Sequence, residues 1–216
     1  MNLQKTFRYY VWKFYQIYLM NTRNMENKME KRIILASKSP RRKELLGGIY
    51  QNFEVITREV DETLPDTVHP SVGVEMLAVR KGAAVRDMVG DECLIISSDT
   101  LVELDGVALG KPVDEADARA MLRSLSGGSH NVHTGIAVHY NGEVYSGVAT
   151  TEVFFRELSE AEIEEYIASG EPMDKAGAYG IQGRAGEFVT HYEGDFDTVV
   201  GLSMRLLKEL IERAEG

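Results

Sequence analysis

Cysteine is nearly absent: Cys93 is the single one in 216 residues. The chain therefore cannot close an internal disulfide or build a cysteine-based zinc site, and a reducing cytoplasm is its simplest compartment. Basic charge is short as well, with 24 Lys and Arg against 34 Asp and Glu and a net charge of −10. A protein that grips nucleic acid regardless of sequence needs the opposite balance to displace counterions, so no nucleic-acid partner is expected. Proline is scarce at five residues while glycine reaches twenty, which calls for tight turns rather than stiff linkers. What is present is ordinary: 44% hydrophobic and 27% charged residues, with length enough for a sizeable core in one domain, or one domain with a small lobe. Global disorder, collagen and coiled coil do not fit.

The first 28 residues stand apart. They hold five Lys/Arg, one Glu and seven of the 18 aromatics: Phe7, Tyr9, Tyr10, Trp12, Phe14, Tyr15 and Tyr18. Their apolar stretch is too short for a bilayer and is broken by Arg8 and Lys13. No small-residue cleavage site marks a secretory signal. Aromatics on one side with Arg8, Lys13 and Arg23 toward headgroups would suit an interfacial helix. The reading preferred here is an extension outside the fold, since Met25 and Met29 each offer a later start. The expected domain is residues 29–216, with no stable membrane association.

Past the extension, strands and helices alternate. Residues 32–36 (RIILA) form a buried-strand run, and Pro40 suits the first turn of a helix ended by Gly47 and Gly48. Residues 53–57 read as a second strand, 58–70 as a loop, and 71–89 as a helix with Val72, Met76, Val79, Ala83 and Met88 on its apolar face. Residues 94–97 give a third strand, and Asp105-Gly106 marks a hairpin. Asp114 caps a helix to Leu125, and two long strands meet at Asn141-Gly142. Ser159 and Glu162 have capping-box spacing. Residues 171–186 are Gly-rich and irregular, 187–192 a short strand, and Asp197 caps a last helix. The sum is an α/β protein with a mixed twisted sheet and flanking helices.

Several segments carry candidate chemistry. Residues 37–42 (SKSPRR) lie at a strand-to-helix turn, where free amides and the helix dipole favour phosphate. Ser37 and Ser39 would add hydroxyl donors, and Arg41 and Arg42 bidentate cations. An ordinary helix start with two solvated arginines fits the same residues. Asp99, after the run 94–96, stands where open α/β sheets gather ligands; it could bind a cation or take a proton from water, or simply form a turn. Lys111 is a phosphate ligand or a surface lysine, and Lys81 has small neighbours that let it reach inward, or lies on a solvated face. Asp61-Glu62 is a metal pair or plain acidic surface. His130 and His133 point to opposite strand faces and do not share a metal, and Cys93 reads as packing.

Taken together, residues 37–42, 98–100 (SDT), 110–112 (GKP) and 171–183 (EPMDKAGAYGIQG) resemble the Maf family of nucleoside triphosphate pyrophosphatases, in order and spacing, from about residue 30 to the C-terminus. The resemblance implies an elongated, two-lobed fold similar to inosine triphosphate pyrophosphatases, with a cleft between the lobes. It implies hydrolysis between the α and β phosphates with a divalent metal, Mg or Mn. By the same resemblance Asp99 is the proton acceptor, and Arg41, Thr100 and Gln182 bear on substrate choice. Arg42, Glu62, Lys81 and Lys111 are further pocket residues, Glu62 joining Asp99 at the metal. Segment 171–183 resembles the branch acting on dTTP and UTP rather than the one preferring methylated guanosine triphosphate. Gly82 stands where alanine is expected. Because the family is associated with restraint of septum formation, the alternative is a nucleotide-binding regulator that need not turn over. A homodimer is allowed.

Overall fold

The structure, a computed structural model, describes residues 31–65 and 67–216; the segment 1–28 read above as an extension lies outside them. The chain order is β1 (Ile33–Leu35), α1 (Pro40–Gly47), β2 (Glu54–Val55), α2 (Pro70–Val89), β3 (Leu94–Leu104), β4 (Val107–Leu109), α3 (Glu115–Leu125), β5 (Ser129–Tyr140), β6 (Glu143–Phe155), α4 (Glu160–Ala168), β7 (Val189–Glu193), α5 (Phe196–Val200) and α6 (Met204–Glu215), with three 3-10 turns between α4 and β7. Local chemistry sets most boundaries. Pro40 opens α1 behind the N-cap Ser39, Asp114 caps α3, and Ser159 and Glu162 form both halves of a capping box on α4. Asp105-Gly106 and Asn141-Gly142 turn their hairpins with positive φ at both residues, the type I′ geometry that matches strand twist.

The seven strands form one mixed sheet in the order β2-β1-β3-β5-β6-β7, with β4 also beside β3. This meets the expectation of an α/β protein with a mixed sheet. β3 is the axis of the molecule. One of its edges pairs continuously with β5, from Ile95 to Glu103. The other edge is shared: β1 runs parallel to Leu94–Ile96, and β4 antiparallel to Val102–Leu104. Residues 97–101 therefore have no strand partner on that side. Separate cores lie at its two ends. Leu35, Leu46, Ile96, Ile136 and Leu207 form one; Val102, Leu122, Leu125, Phe155 and Ile163 form the other. They are the two lobes, with the unpaired stretch of β3 between them.

Helix α2 lies unusually close to the sheet. A Cβ on Gly135, which pairs with Asp99, would fall 2.4 Å from the Val74 carbonyl oxygen, so only glycine lets the helix backbone touch the strand there. The face that α2 buries is Gly73, Val74, Leu77, Ala78, Gly82 and Val85. The expected apolar face is thus corrected: Val72, Met76 and Met88 are exposed, because close approach selects small residues that hydrophobic patterning passes over. The final helix differs as well. Asp197 lies inside the short α5, and Ser203 caps α6, while Asp197 Oδ2 still accepts from the first α6 amide, Met204 N, at 2.8 Å.

Candidate active site

β3 runs well past residue 97, so Asp99 sits in mid-strand rather than in a turn at a strand end. It occupies the stretch that neither β1 nor β4 covers. A cleft of about 1340 Å³ opens at this stretch, and all ten expected site residues line it: Ser37, Ser39, Arg41, Arg42, Glu62, Lys81, Asp99, Thr100, Lys111 and Gln182. Seven Lys/Arg and five Asp/Glu line the cleft, a basic balance in a chain whose net charge is −10. A basic hollow in an acidic chain is electrostatically suited to an anionic ligand.

Side chains alternate along β3, so Asp99 and Thr100 serve opposite faces of the sheet. Asp99 looks toward α2. The Lys81 ammonium, reaching down from α2, lies 2.5 Å from Asp99 Oδ1 and 2.8 Å from Glu62 Oε1. Asp99 is buried and Glu62 largely exposed, so the pair converges on Lys81 from the strand and from the loop before α2. Asp61 does not join them: its Oδ1 accepts from its own loop at Thr63 N, 2.9 Å away, which divides the Asp61-Glu62 pair.

Thr100 looks toward α1 and meets Arg42. The Arg42 guanidinium donates to Ser98 O at 2.7 Å, Gly201 O at 2.8 Å, Thr100 Oγ1 at 3.0 Å and Ser37 Oγ at 3.3 Å. Four of its five N–H groups are therefore committed to the protein. One of them fills the Ser98 carbonyl that a strand partner would otherwise take. Burial pulls the Arg42 pKa down from its ordinary value, and the nearby Asp99 charge pulls the other way. The direction of the hydroxyl bonds follows from donor counting. Thr134 Oγ1 gives its one hydrogen to Thr198 O at 2.7 Å, so Thr100 must give its hydrogen to Thr134, 3.0 Å away, and accept from Arg42. Thr134 was invisible to sequence reading because its partners, Thr100 and Thr198, come from two distant segments.

The helix-start motif behaves differently. Ser37 Oγ accepts from Ser39 N at 3.2 Å and from Arg42, and Ser39 Oγ accepts from Arg42 N at 3.5 Å; the hydrogen of each hydroxyl is left to donate. Arg41 and Lys111 have no hydrogen-bond or ion-pair partner among the described residues, and neither does the exposed Gln182. Lys38, Arg58 and Lys175 also line the cleft; Lys38 and Lys175 lie inside segments 37–42 and 171–183 but were given no role of their own there, and Arg58 stands in the loop before α2, where no motif marks it. The two histidines do face apart: His130 bonds the Tyr179 hydroxyl, and His133 bonds Glu103. Cys93 is buried.

The family model described as Maf-like protein matches residues 32–214. The chain belongs to the Maf family. The relatives of this Maf chain are matched over most of their own length. It is 47% identical over 185 residues to a Pelotomaculum thermopropionicum protein named dTTP/UTP pyrophosphatase, covering 85% of this chain and 96% of that one. A Vibrio cholerae protein of the same name is 47% identical, covering 84% and 97%. One from Bacillus cereus is 48% identical, covering 83% and 94%. Among solved structures, the Ham1 protein of Staphylococcus aureus superposes with a TM-score of 0.44 at 16% identity, covering 85% of this chain and 99% of that one.

Proposed function

We propose that the chain hydrolyses dTTP and UTP, and related pyrimidine nucleotides, to the monophosphate and pyrophosphate. One observation carries this reading: Asp99 and Glu62 close on Lys81 at the unpaired stretch of β3, inside a hollow that also presents Arg41, Lys111 and the Ser37 and Ser39 hydroxyls. Carboxylates gain nothing in a pocket for a polyanion unless they serve a cation or a water. The relatives named above support the substrate class.

In the proposed step, a water oxygen bonds to the α phosphorus while the bond from that phosphorus to the α–β bridging oxygen breaks. The bridging oxygen leaves with its electron pair as part of pyrophosphate, and the water proton passes to Asp99 and then to solvent. Arg41 and Lys111 hold the β and γ oxygens, and Ser37 and Ser39 donate to phosphate oxygens. Arg42 acts one layer behind, fixing the Ser37 turn and Thr100. Gln182 offers a donor and an acceptor, the complement of the carbonyl and N–H edge of uracil or thymine.

The residues present also fit a divalent metal. Among the described residues no three His, Cys, Asp or Glu side chains are grouped to hold one, but two carboxylates already converge on a single cationic position. Mg²⁺ needs no more than that when substrate phosphates complete its shell. Asp99 and Glu62 would hold Mg²⁺ or Mn²⁺, which would neutralise charge developing on the phosphates. The proposed setting is the cytoplasm; no helix among the described residues is long and apolar enough to cross a membrane.

The test is a panel of dTTP, UTP, CTP and GTP with Mg²⁺ or Mn²⁺, read by product identification. Pyrophosphate and monophosphate from dTTP and UTP are expected. Orthophosphate alone would mean an ordinary phosphatase, and no product at all would favour the non-hydrolysing regulator.

A further inference from the structure

The geometry points to Tyr166 and Glu171 as positioning residues that set base preference through the turn carrying Gln182, an inference that rests on the base-reading role proposed above. Gln182 is exposed and has no partner among the described residues, so its aim depends on the backbone beneath it. That backbone is the turn 180–184, closed by Gly183 N donating to Gly180 O at 3.0 Å.

Both ends of this turn are tied to one carboxylate. At its far end, Arg184 N donates to Glu171 Oε2 at 3.3 Å. At its near end, Gly180 N donates to the Tyr166 hydroxyl at 3.3 Å, and that hydroxyl donates to Glu171 Oε1 at 3.1 Å. The order of these bonds is fixed, because an ionised carboxylate only accepts and an amide N–H only donates. The phenol oxygen thus spends its hydrogen on Glu171 and a lone pair on Gly180.

The carboxylate also occupies the space inside the turn. A Cβ on Gly183 would fall 1.8 Å from Glu171 Oε1, so any larger residue there would push the carboxylate out of the turn. Glu171 is itself anchored: its carbonyl accepts from Lys175 Nζ at 2.7 Å, and its amide donates to Ser169 Oγ at 3.2 Å. Tyr166 is 2% exposed, with its ring edge-on to Phe188 at 5.2 Å between centroids. A core tyrosine on α4 therefore reaches the base-reading turn with a single oxygen.

Tyr166→Phe removes that oxygen and keeps the ring in the core. The experiment measures kcat and KM for dTTP, UTP and CTP in wild type, Tyr166→Phe and Gln182→Ala, together with amide hydrogen exchange at Gly180 and Arg184. Tyr166→Phe should cut the dTTP-over-CTP ratio of kcat/KM by about fivefold, the worth of the neutral bond from Gly180 N that ties the turn directly to Tyr166, with kcat for dTTP nearly unchanged. Exchange at Gly180 should quicken. Unchanged exchange at Gly180 overturns the inference. So does a wild-type preference in Tyr166→Phe beside a lost preference in Gln182→Ala. If Gln182→Ala itself keeps the preference, the base-reading role is what has failed, and the inference falls with it.

Discussion

Two residues of the site answer to different tests. Asp99 is proposed to take the proton of water, so Asp99→Asn should lower kcat by roughly 10²–10⁴ while leaving nucleotide affinity within a few-fold, as read by single-turnover kinetics and calorimetric titration. Equal loss in both would show that Asp99 holds substrate instead. Arg42 is a strut. Arg42→Met strips the Ser98 carbonyl of its donor, while Gly201 O keeps the Ser98 hydroxyl at 2.8 Å. One orphaned buried acceptor costs about 1–3 kcal/mol, or a fall in Tm of roughly 2–4 °C for each kcal/mol. A Tm that stays put while activity vanishes would mean that Arg42 touches the substrate. The identity of every cleft-lining candidate was legible in the sequence, but the separate tasks of Arg41 and Arg42 were not. Arg42 spends itself on backbone carbonyls 56 and 159 positions away, which no local motif encodes.

At the level of elements, short-range chemistry was the readable part. Pro40, Asp114, the Ser159 and Glu162 box, Asp105-Gly106 and Asn141-Gly142 each specify a cap or turn within four residues. Ser159→Ala should accordingly cost about 1 kcal/mol in denaturant midpoint without touching kcat. The reach of β3 through polar residues 97–100 was not readable, because β5 and Arg42 hold that stretch from afar. Nor was the buried face of α2. Gly135→Ala tests what that face does: overpacking should cost about 1–3 kcal/mol. It should also lower kcat, because the helix that carries Lys81 must lift from the strand that carries Asp99. Retained kcat in a destabilised Gly135→Ala protein would uncouple helix depth from the site. Gly82 belongs to the same contact, since a Cβ there would meet His139 Nε2 at 2.3 Å; a bulky histidine on β5 explains why the expected alanine is missing.

For the whole molecule, buried histidines set the response to acid. Burial pushes the His130 pKa from 6.5 down to about 4. Between those values the unfolded chain takes up a proton that the folded one refuses, so stability is full above about pH 6.5 and declines as pH falls toward 4. His130→Phe should flatten that decline in denaturation curves taken across the window; an unaltered slope would contradict it. If residues 29–216 carry the activity, as we propose, removing the first 28 should leave kcat/KM for dTTP unchanged. One arrangement has a longer reach than any of these measurements. Hydrolysis is assigned to the middle of a strand clamped on both flanks at its ends, whereas discrimination among bases is assigned to a short glycine turn leaning on a single acid. Descendants of such a chain can retune their diet by altering a few side chains under that turn, while the machinery that cuts is inherited intact.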